Sequence, residues 1–322
     1  MKTPDDGAGR AGRAAPLRSP YPFRAAAIDV GSNAIRFAAA LFVNARRATR
    51  LASSRVPVRL GRGVFDEGRL SREAMEAALE ALSGFRERMD GLEIQGYRAV
   101  ATSAVREAAN AADFLTRVRE RTGLELDIID AAEEARLVHL AVRDRISMGR
   151  DVWLLGDLGG GSLEVSLATR AKILWTVSRA LGAVRLGGAH PSGPGDLVRL
   201  RDVVNHHLPL TLLRTGAPPR GFIGIGGGIK SLAVLAGVSP DSRGVATVPA
   251  EEVGRLAVHL SRLSVRRRVQ ELGLPEDRAD VIVPAAIVYA RLAEIAQAET
   301  ILVPGVGVLD GVLQDLRTRL EA

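Results

Sequence analysis

Two apolar runs near the start of the chain, AAAIDV and AIRFAAALF, flank a short polar turn and predict a pair of strands around it. A polar, glycine-containing stretch, VRLGRGVFDEGRL, then leads to Ser71, placed as the N-cap of a helix from about 72 to 90. YRAVATS reads as a strand ending in a loop, and Asn110 as the cap of a helix through about 122 that Gly123 closes. LELDIID is another strand, and EEARLVHLAVRDR begins the next helix. The segment up to about 148 therefore mixes strands and helices.

After SMGRD the pattern restarts. WLLGDL and LEVSLAT predict a hairpin, with AKILWTVSRAL as its third strand. A helix near 195–214, the short strand GFIGIG and a helix from about 229 follow. The remainder is mostly helical, ending in the strand ETILVPG and the helix VLDGVLQDLRTRL.

The restart is also a repeat. IDVGSNAIRF at 28–37 aligns without gaps on GDLGGGSLEV at 156–165, matching Asp29 to Asp157, Gly31 to Gly159 and Arg36 to Glu164. Two copies at the first β-turn-β of each half indicate a duplicated fold whose turns face each other across a cleft. Glycine within a strand costs roughly 0.5–1 kcal/mol relative to alanine, so a run of three implies a close approach to the backbone. Converging N–H groups in each turn make an anion nest, and Ser32, Asn33 and Ser162 add side-chain donors. The aspartate ending each first strand repels phosphate unless a magnesium ion, lysine or arginine lies alongside. A third turn, GFIGIGGGIKSL, departs from the P-loop pattern at Ile229 but suits a strand-turn-helix that aims N–H groups at an anion.

Composition narrows the chemistry. The 322 residues suffice for two domains, and 47% hydrophobic with 25% charged content fits a globular chain. No apolar run is long enough for a membrane span, and residues 1–24, rich in charge, Gly, Ala and Pro, are expected to be a disordered leader of a cytoplasmic protein. The absence of cysteine excludes disulfides, thiolate zinc sites and cysteine nucleophiles. No histidine pair has HExxH spacing, so a bound metal would rely on carboxylates and favour magnesium. The net charge of +7 suits an anionic partner, yet 4% aromatic content argues against a stacking platform for nucleic acid. VRRR at 265–268 reads as a solvated helix face.

With these residues in hand, the chain resembles the exopolyphosphatase / guanosine pentaphosphate phosphohydrolase family over about 25–320. The segments that carry the resemblance are IDVGSNAIRF, ATSAVREAANAADFL, IIDAAEEARLVHLAV, GDLGGGSLEV, LGAVRL, GIGGGIKSL and DRADVIVPAA, in the family's order. The chain departs from the family pattern at Ala131 and Ala132, at Gly228 where threonine is common, and in VPGVGVLDG, which lacks an arginine before its acidic-Gly pair.

The resemblance implies an α/β fold of two actin-like (RNase H-like) domains, 25–148 and 149–322, around a central cleft, with the final helix returning to the first domain. It implies Glu134 as catalytic base and Asp157 with Glu164 as acids that hold Mg2+, or Mn2+ in its place. It implies phosphate contacts from Gly31, Ser32, Asn33, Arg106, Gly159, Gly160, Gly161 and Ser162, to which the third turn adds Gly226 and Gly227. The implied activity is release of terminal phosphate from polyphosphate, with guanosine pentaphosphate as the second substrate, and it is compatible with a homodimer. Rival readings are a guanosine tetraphosphate- or pentaphosphate-binding sensor with little catalysis and a kinase of the same fold. Taken singly, each residue has a plainer reading: Glu134 a helix-start stabiliser, Asp157 a turn residue, Glu164 a solvent-facing strand residue, Arg106 a partner for Glu107 or Asp113.

Overall fold

The computed structural model describes residues 20–187, 194–213 and 218–321, so most of the predicted leader lies outside the described residues. The first lobe runs β1 (Phe23–Val30), β2 (Ile35–Phe42), β3 (Ala48–Val56), α1 (Gly61–Glu67), α2 (Arg72–Gly91), β4 (Gly96–Ala101), α3 (Ser103–Glu107), α4 (Ala111–Thr122), β5 (Leu126–Ile128) and α5 (Ala131–Arg145). The second opens with β6 (Trp153–Leu158), β7 (Leu163–Ala168), β8 (Ile173–Arg179), α6 (Ala183–Gly187), α7 (Pro194–His207), β9 (Phe222–Ile225) and α8 (Gly227–Leu235). It ends with β10 (Ala246–Pro249), α9 (Ala250–Ser261), α10 (Val265–Leu272), α11 (Glu276–Ala279), α12 (Ile282–Ala296), β11 (Thr300–Val303) and α13 (Val308–Arg319).

The repeat in the sequence is a repeat in topology. The first sheet has the order β3-β2-β1-β4-β5; the second, read in the same sense, is β8-β7-β6-β9-β11 with β10 added at the edge. In each, an antiparallel three-stranded meander is followed by strands parallel to its first member. This is the mixed two-sheet architecture expected of a duplicated α/β fold. The register repeats as well: Asp29 pairs with Arg36 across β1 and β2, and Asp157 with Glu164 across β6 and β7. Cross-strand partners project from the same face, so each pair is one electrostatic unit.

Both faces of β1 are buried. Ala26, Ile28 and Val30 join the core under α2, whereas Ala25 and Ala27 join a core shared with α5, α13, Ile223 and Ile225. The alanines on that second face keep it shallow, and α13 packs directly on β1 there. The two helices thus lie between the sheets and cross over: α5, from the first lobe, contacts β7 and β8, whereas α13, from the second, contacts β1, β2 and β4. Asp315 of α13 reinforces this by accepting from Arg98 at 3.2 Å and Arg136 at 2.8 Å, both in the first lobe.

Local expectations hold at Ser71, whose hydroxyl accepts from the Ala74 N–H, and at Gly123, which closes α4 in the left-handed region. They fail at three places. Asn110 precedes α4 but makes no cap; its side chain bonds both backbone groups of Leu70 and staples the loop before α2. The helix expected to reach 214 ends at His207, before a 3-10 turn at Leu210–Leu212. Arg268, expected on a solvated face, is 2% exposed and donates to the carbonyls of Leu260 and Ala279, tying α10 to α9 and α11.

The α5–α13 contact is close enough to test. A Cβ on Gly311 would lie 2.0 Å from the Leu137 carbonyl oxygen, a backbone atom that no rotamer change can move. Gly311→Ala should therefore destabilise by about 1–3 kcal/mol. Gly84→Ala, exposed within α2 with nothing within 4 Å, should instead stabilise by about 0.5–1 kcal/mol. Urea unfolding of both variants checks the opposite signs; equal shifts would contradict the packing.

Candidate active site

The two glycine turns span residues 31–34 and 159–162, and each closes through the same hydrogen bond: Gly31 N–H to the Ala34 carbonyl at 3.3 Å, Gly159 N–H to that of Ser162 at 3.0 Å. Beyond the strand ladders, the N–H groups of Ser32, Asn33, Gly160 and Gly161 make no backbone hydrogen bond among the described residues. The turns touch. A Cβ on Gly160 would come within 2.9 Å of the Ser32 Cβ and 3.2 Å of the Asn33 nitrogen, so only glycine lets the second turn rest on the first. Gly161 faces Ser103 and Phe65 instead of the cavity.

The third turn arrives from β9. Gly226 has φ 114°, a region side chains avoid, and lies within 2.6 Å of the Leu158 carbonyl as measured from an added Cβ. It thereby points the N-terminus of α8, with its unbonded N–H groups, at the same space. All three turns line one cleft of about 400 Å³ between the lobes.

Four carboxyl groups converge at the cleft. Asp29, Glu134 and Asp157 line it, and Glu164, 2% exposed, is the ladder partner of Asp157; a further lining acid, Asp310, is already held by Arg50 at 2.6 Å. Glu164 is therefore not solvent-facing; its Oε1 accepts from Ser178 at 2.9 Å. Burial raises all four acids above their ordinary values. For Glu134 the charges of Glu164, Asp157 and Asp29 add to burial, with Arg106 opposing. Asp157 is pushed from 3.8 to about 7, by burial first and Glu164 second. For Asp29 burial is opposed by Arg36, which donates to it at 3.1 Å. The equivalent position to Arg36 in the second lobe is Glu164, so that pair has two negative charges where the first has one of each sign.

The Oε2 atoms of Glu134 and Glu164 are buried without a hydrogen-bond partner. Arg106 stands 3.6 Å from Glu134 Oε2 while donating to the Ile129 carbonyl at 2.7 Å. It does not line the cleft and meets neither Glu107 nor Asp113; Glu107 is held by Arg185 of the other lobe. Glu134 sits in the first turn of α5, which Asp130 caps by accepting from the Glu133 N–H. Glu133 points away into the network with Arg136, Arg98 and Asp315, and its hydrogen bond with Arg136 lowers its pKa to about 2 despite partial burial. Adjacent glutamates thus have opposite roles.

One expected donor is already used. Asn33 donates its amide to the carbonyl and carboxylate of Asp277, at 3.0 and 3.2 Å, instead of offering it to the cleft. Cations that sequence reasoning passed over compensate: Arg36, Arg50, Arg55, Lys230 and Arg278 all line the cleft. Lys230 was visible only as part of GGGIKS, and the four arginines come from three separate elements, β2, β3 and α11, that no local motif joins. Burial lowers the pKa of Lys230, and burial with Arg55 and Arg36 pushes Arg278 to about 10. No cluster of three or more His, Cys, Asp or Glu with metal-holding geometry occurs among the described residues.

Comparison with known proteins gives the family. The model of the Ppx/GppA phosphatase family matches residues 42–320. The chain belongs to the Ppx/GppA phosphatase family. Exopolyphosphatase 1 of Mycobacterium tuberculosis is 32% identical over 278 residues, covering 82% of this chain and 80% of the relative. Its namesake from Mycobacterium leprae is 31% identical over 293 residues, covering 86% and 85%. Among solved structures, an exopolyphosphatase from Cytophaga hutchinsonii superposes with TM-score 0.86 at 26% identity, covering 92% of this chain and 98% of that one. The Aquifex aeolicus Ppx/GppA member gives 0.78 at 24% identity, covering 93% and 99%, and shows the fold. The two lobes are those of the actin-like fold that this phosphatase family uses. No helix among the described residues is long and apolar enough to cross a membrane.

The acid cluster gives the phosphatase a signature in pH. Asp157 binds its proton more tightly folded than unfolded, so between about pH 4 and 7 the native state holds more protons and stability falls as pH rises. In metal-free protein this loss should be roughly 2 kcal/mol. Asp157→Asn should flatten it and be the more stable form at pH 8. Urea titrations at pH 5 and 8 check this; a wild type that gains stability across that window would contradict the reading.

Proposed function

We propose that this chain hydrolyses inorganic polyphosphate from its end, releasing phosphate by attack of water within the cleft. The observation that carries the reading is the paired arrangement of the cleft: donor-rich turns and five cations form its walls, with Asp157 and Glu134, whose Oε2 has no hydrogen-bond partner, among them. Among the described residues no aromatic side chain lines the cleft, so a guanine base finds no ring to stack on, which favours polyphosphate over guanosine pentaphosphate.

The residues fit a divalent cation on one side only. Asp29 already has its cation in Arg36, whereas Asp157 and Glu164 face each other with Glu164 Oε2 unpartnered. Two carboxylates with no third protein ligand suit Mg2+, or Mn2+, which retains water and substrate oxygens in its shell. When bound there, the ion would offset charge on the phosphoryl oxygens. Glu134, its neighbours' charges then balanced, is the ionised carboxylate whose free Oε2 orients water and takes its proton. The turn amides and the start of α8 hold the terminal phosphoryl group, and Lys230 and Arg278 neutralise the phosphates behind it. Arg106 reaches phosphate only by leaving Ile129; where it stands, it keeps Glu134 from being too readily protonated.

Glu134→Gln should lower turnover by roughly 10²–10⁴-fold with little change in polyphosphate binding. Glu133→Gln should keep most turnover and instead lose an acid-sensitive part of the stability: the depressed pKa of Glu133 contributes above about pH 4.5, and that contribution is lost as pH falls towards 2. Phosphate release from long-chain polyphosphate and from guanosine pentaphosphate, with Mg2+ and after chelation, tests the whole reading. Release that persists without metal, or normal turnover in folded Glu134→Gln, would defeat it. Tight guanosine tetraphosphate binding without hydrolysis would indicate a sensor, and phosphate transfer dependent on an acceptor would indicate a kinase.

A further inference from the structure

A second set of contacts joins the lobes through α11 and the residue that ends it. Asp277 and Asp280 are each 7% exposed, and both carboxylates meet arginines of the first lobe. Arg55 donates through both terminal nitrogens to Asp277. Arg59 and Arg62 converge on one oxygen of Asp280, at 2.5 and 3.0 Å. Asp277 also receives the Asn33 amide twice, which fixes which way that amide faces within the first glycine turn.

The charges explain why these contacts matter. Arg55 lies directly opposite Arg36 across β2 and β3, and like charges so placed oppose the pairing unless each has its own anion. Arg36 has Asp29 within its own sheet. The carboxylate that meets Arg55 comes from the other lobe. Arg278, beside Asp277 in the chain, brings a further buried guanidinium to the same wall. A negative charge at Asp277 is thus what allows these cations to face one cleft.

We propose that Asp277 is a positioning residue: it fixes Asn33 and Arg55 in the cleft wall and, with Asp280, latches the lobes in the arrangement that rests one glycine turn on the other. Of the latch arginines Arg55 lines the cleft, where a bound phosphate chain also meets it, so anion and latch act on one wall in closing the cleft. The kinetic part of this inference rests on the polyphosphate reading; the conformational part does not.

The test is small-angle X-ray scattering of the full chain, with circular dichroism and melting to establish folding. Without phosphate, wild type should scatter as the closed structure, whereas Asp277→Asn with Asp280→Asn should show a larger radius of gyration that tripolyphosphate reduces. Should that pair not fold, Arg55→Gln, which removes the same contact from the more exposed side, should open the molecule as well. Unchanged scattering from folded variants overturns the proposal whatever the activity. In steady-state assays Asp277→Asn should lower kcat about 10–100-fold while lowering KM, because a negative charge beside the phosphate chain is gone. Adding Arg55→Gln should lower kcat little further, since both residues position the wall through one contact, while KM rises because a cleft cation is gone. Fully additive losses, or a loss of active protein with KM unmoved, would mark a merely structural role and contradict the proposal. Inert wild type would defeat the polyphosphate reading, and the scattering result would then decide this one.

Discussion

Four carboxyl groups share one buried space, and they cannot all ionise there without compensating charge. The molecule meets this constraint differently at each place. On the first lobe Arg36 answers Asp29 across the sheet. On the second, the equivalent partner is another acid, Glu164, so the pair is left for a proton or a cation. At the outer wall the imbalance is reversed, and Asp277 crosses from the other lobe to face the arginines. One strand-turn-strand unit, used twice with a single change of sign, thus makes an anion site beside a cation site.

The scaffold serves that arrangement. The turns can touch because glycine occupies the contact, and the lobes are registered because each contributes a helix to the core between the sheets. Glu134 stands at the start of one of those helices, where the cap at Asp130 and the network through Glu133 hold its backbone. The site is therefore built on hairpin ends and helix starts whose positions the cores determine. Long loops carry little of it.

How much of this could be read in advance follows from the range of each interaction. The pairing of Asp157 with Glu164 came from the family resemblance, whereas the duplicated turns and the α8 start were legible because strand register and glycine spacing are local and both halves could be compared. The wall of cations was not, because Arg36, Arg55, Lys230 and Arg278 are assembled from both lobes by tertiary packing alone. Asn33 was assigned to the cleft because a turn asparagine usually offers its amide; its partner, Asp277, is 244 residues away. Arg268 was assigned to solvent because three arginines in four residues usually face water, yet two backbone carbonyls receive it in the interior. β3, α1 and α3 went unassigned because β3 is largely polar, α1 carries two glycines, and the five residues of α3 are too few to show a period.

The most direct measurement is calorimetric titration of metal-free protein with Mg2+ or Mn2+ near pH 7 in buffers of different ionisation enthalpy. If the cation binds where Asp157 and Glu164 leave charge unanswered, binding near pH 7 should release about half a proton from Asp157, and Asp157→Asn should weaken binding and remove that share of the release. Binding of equal affinity in Asp157→Asn, or binding to wild type with no proton released, would contradict the account.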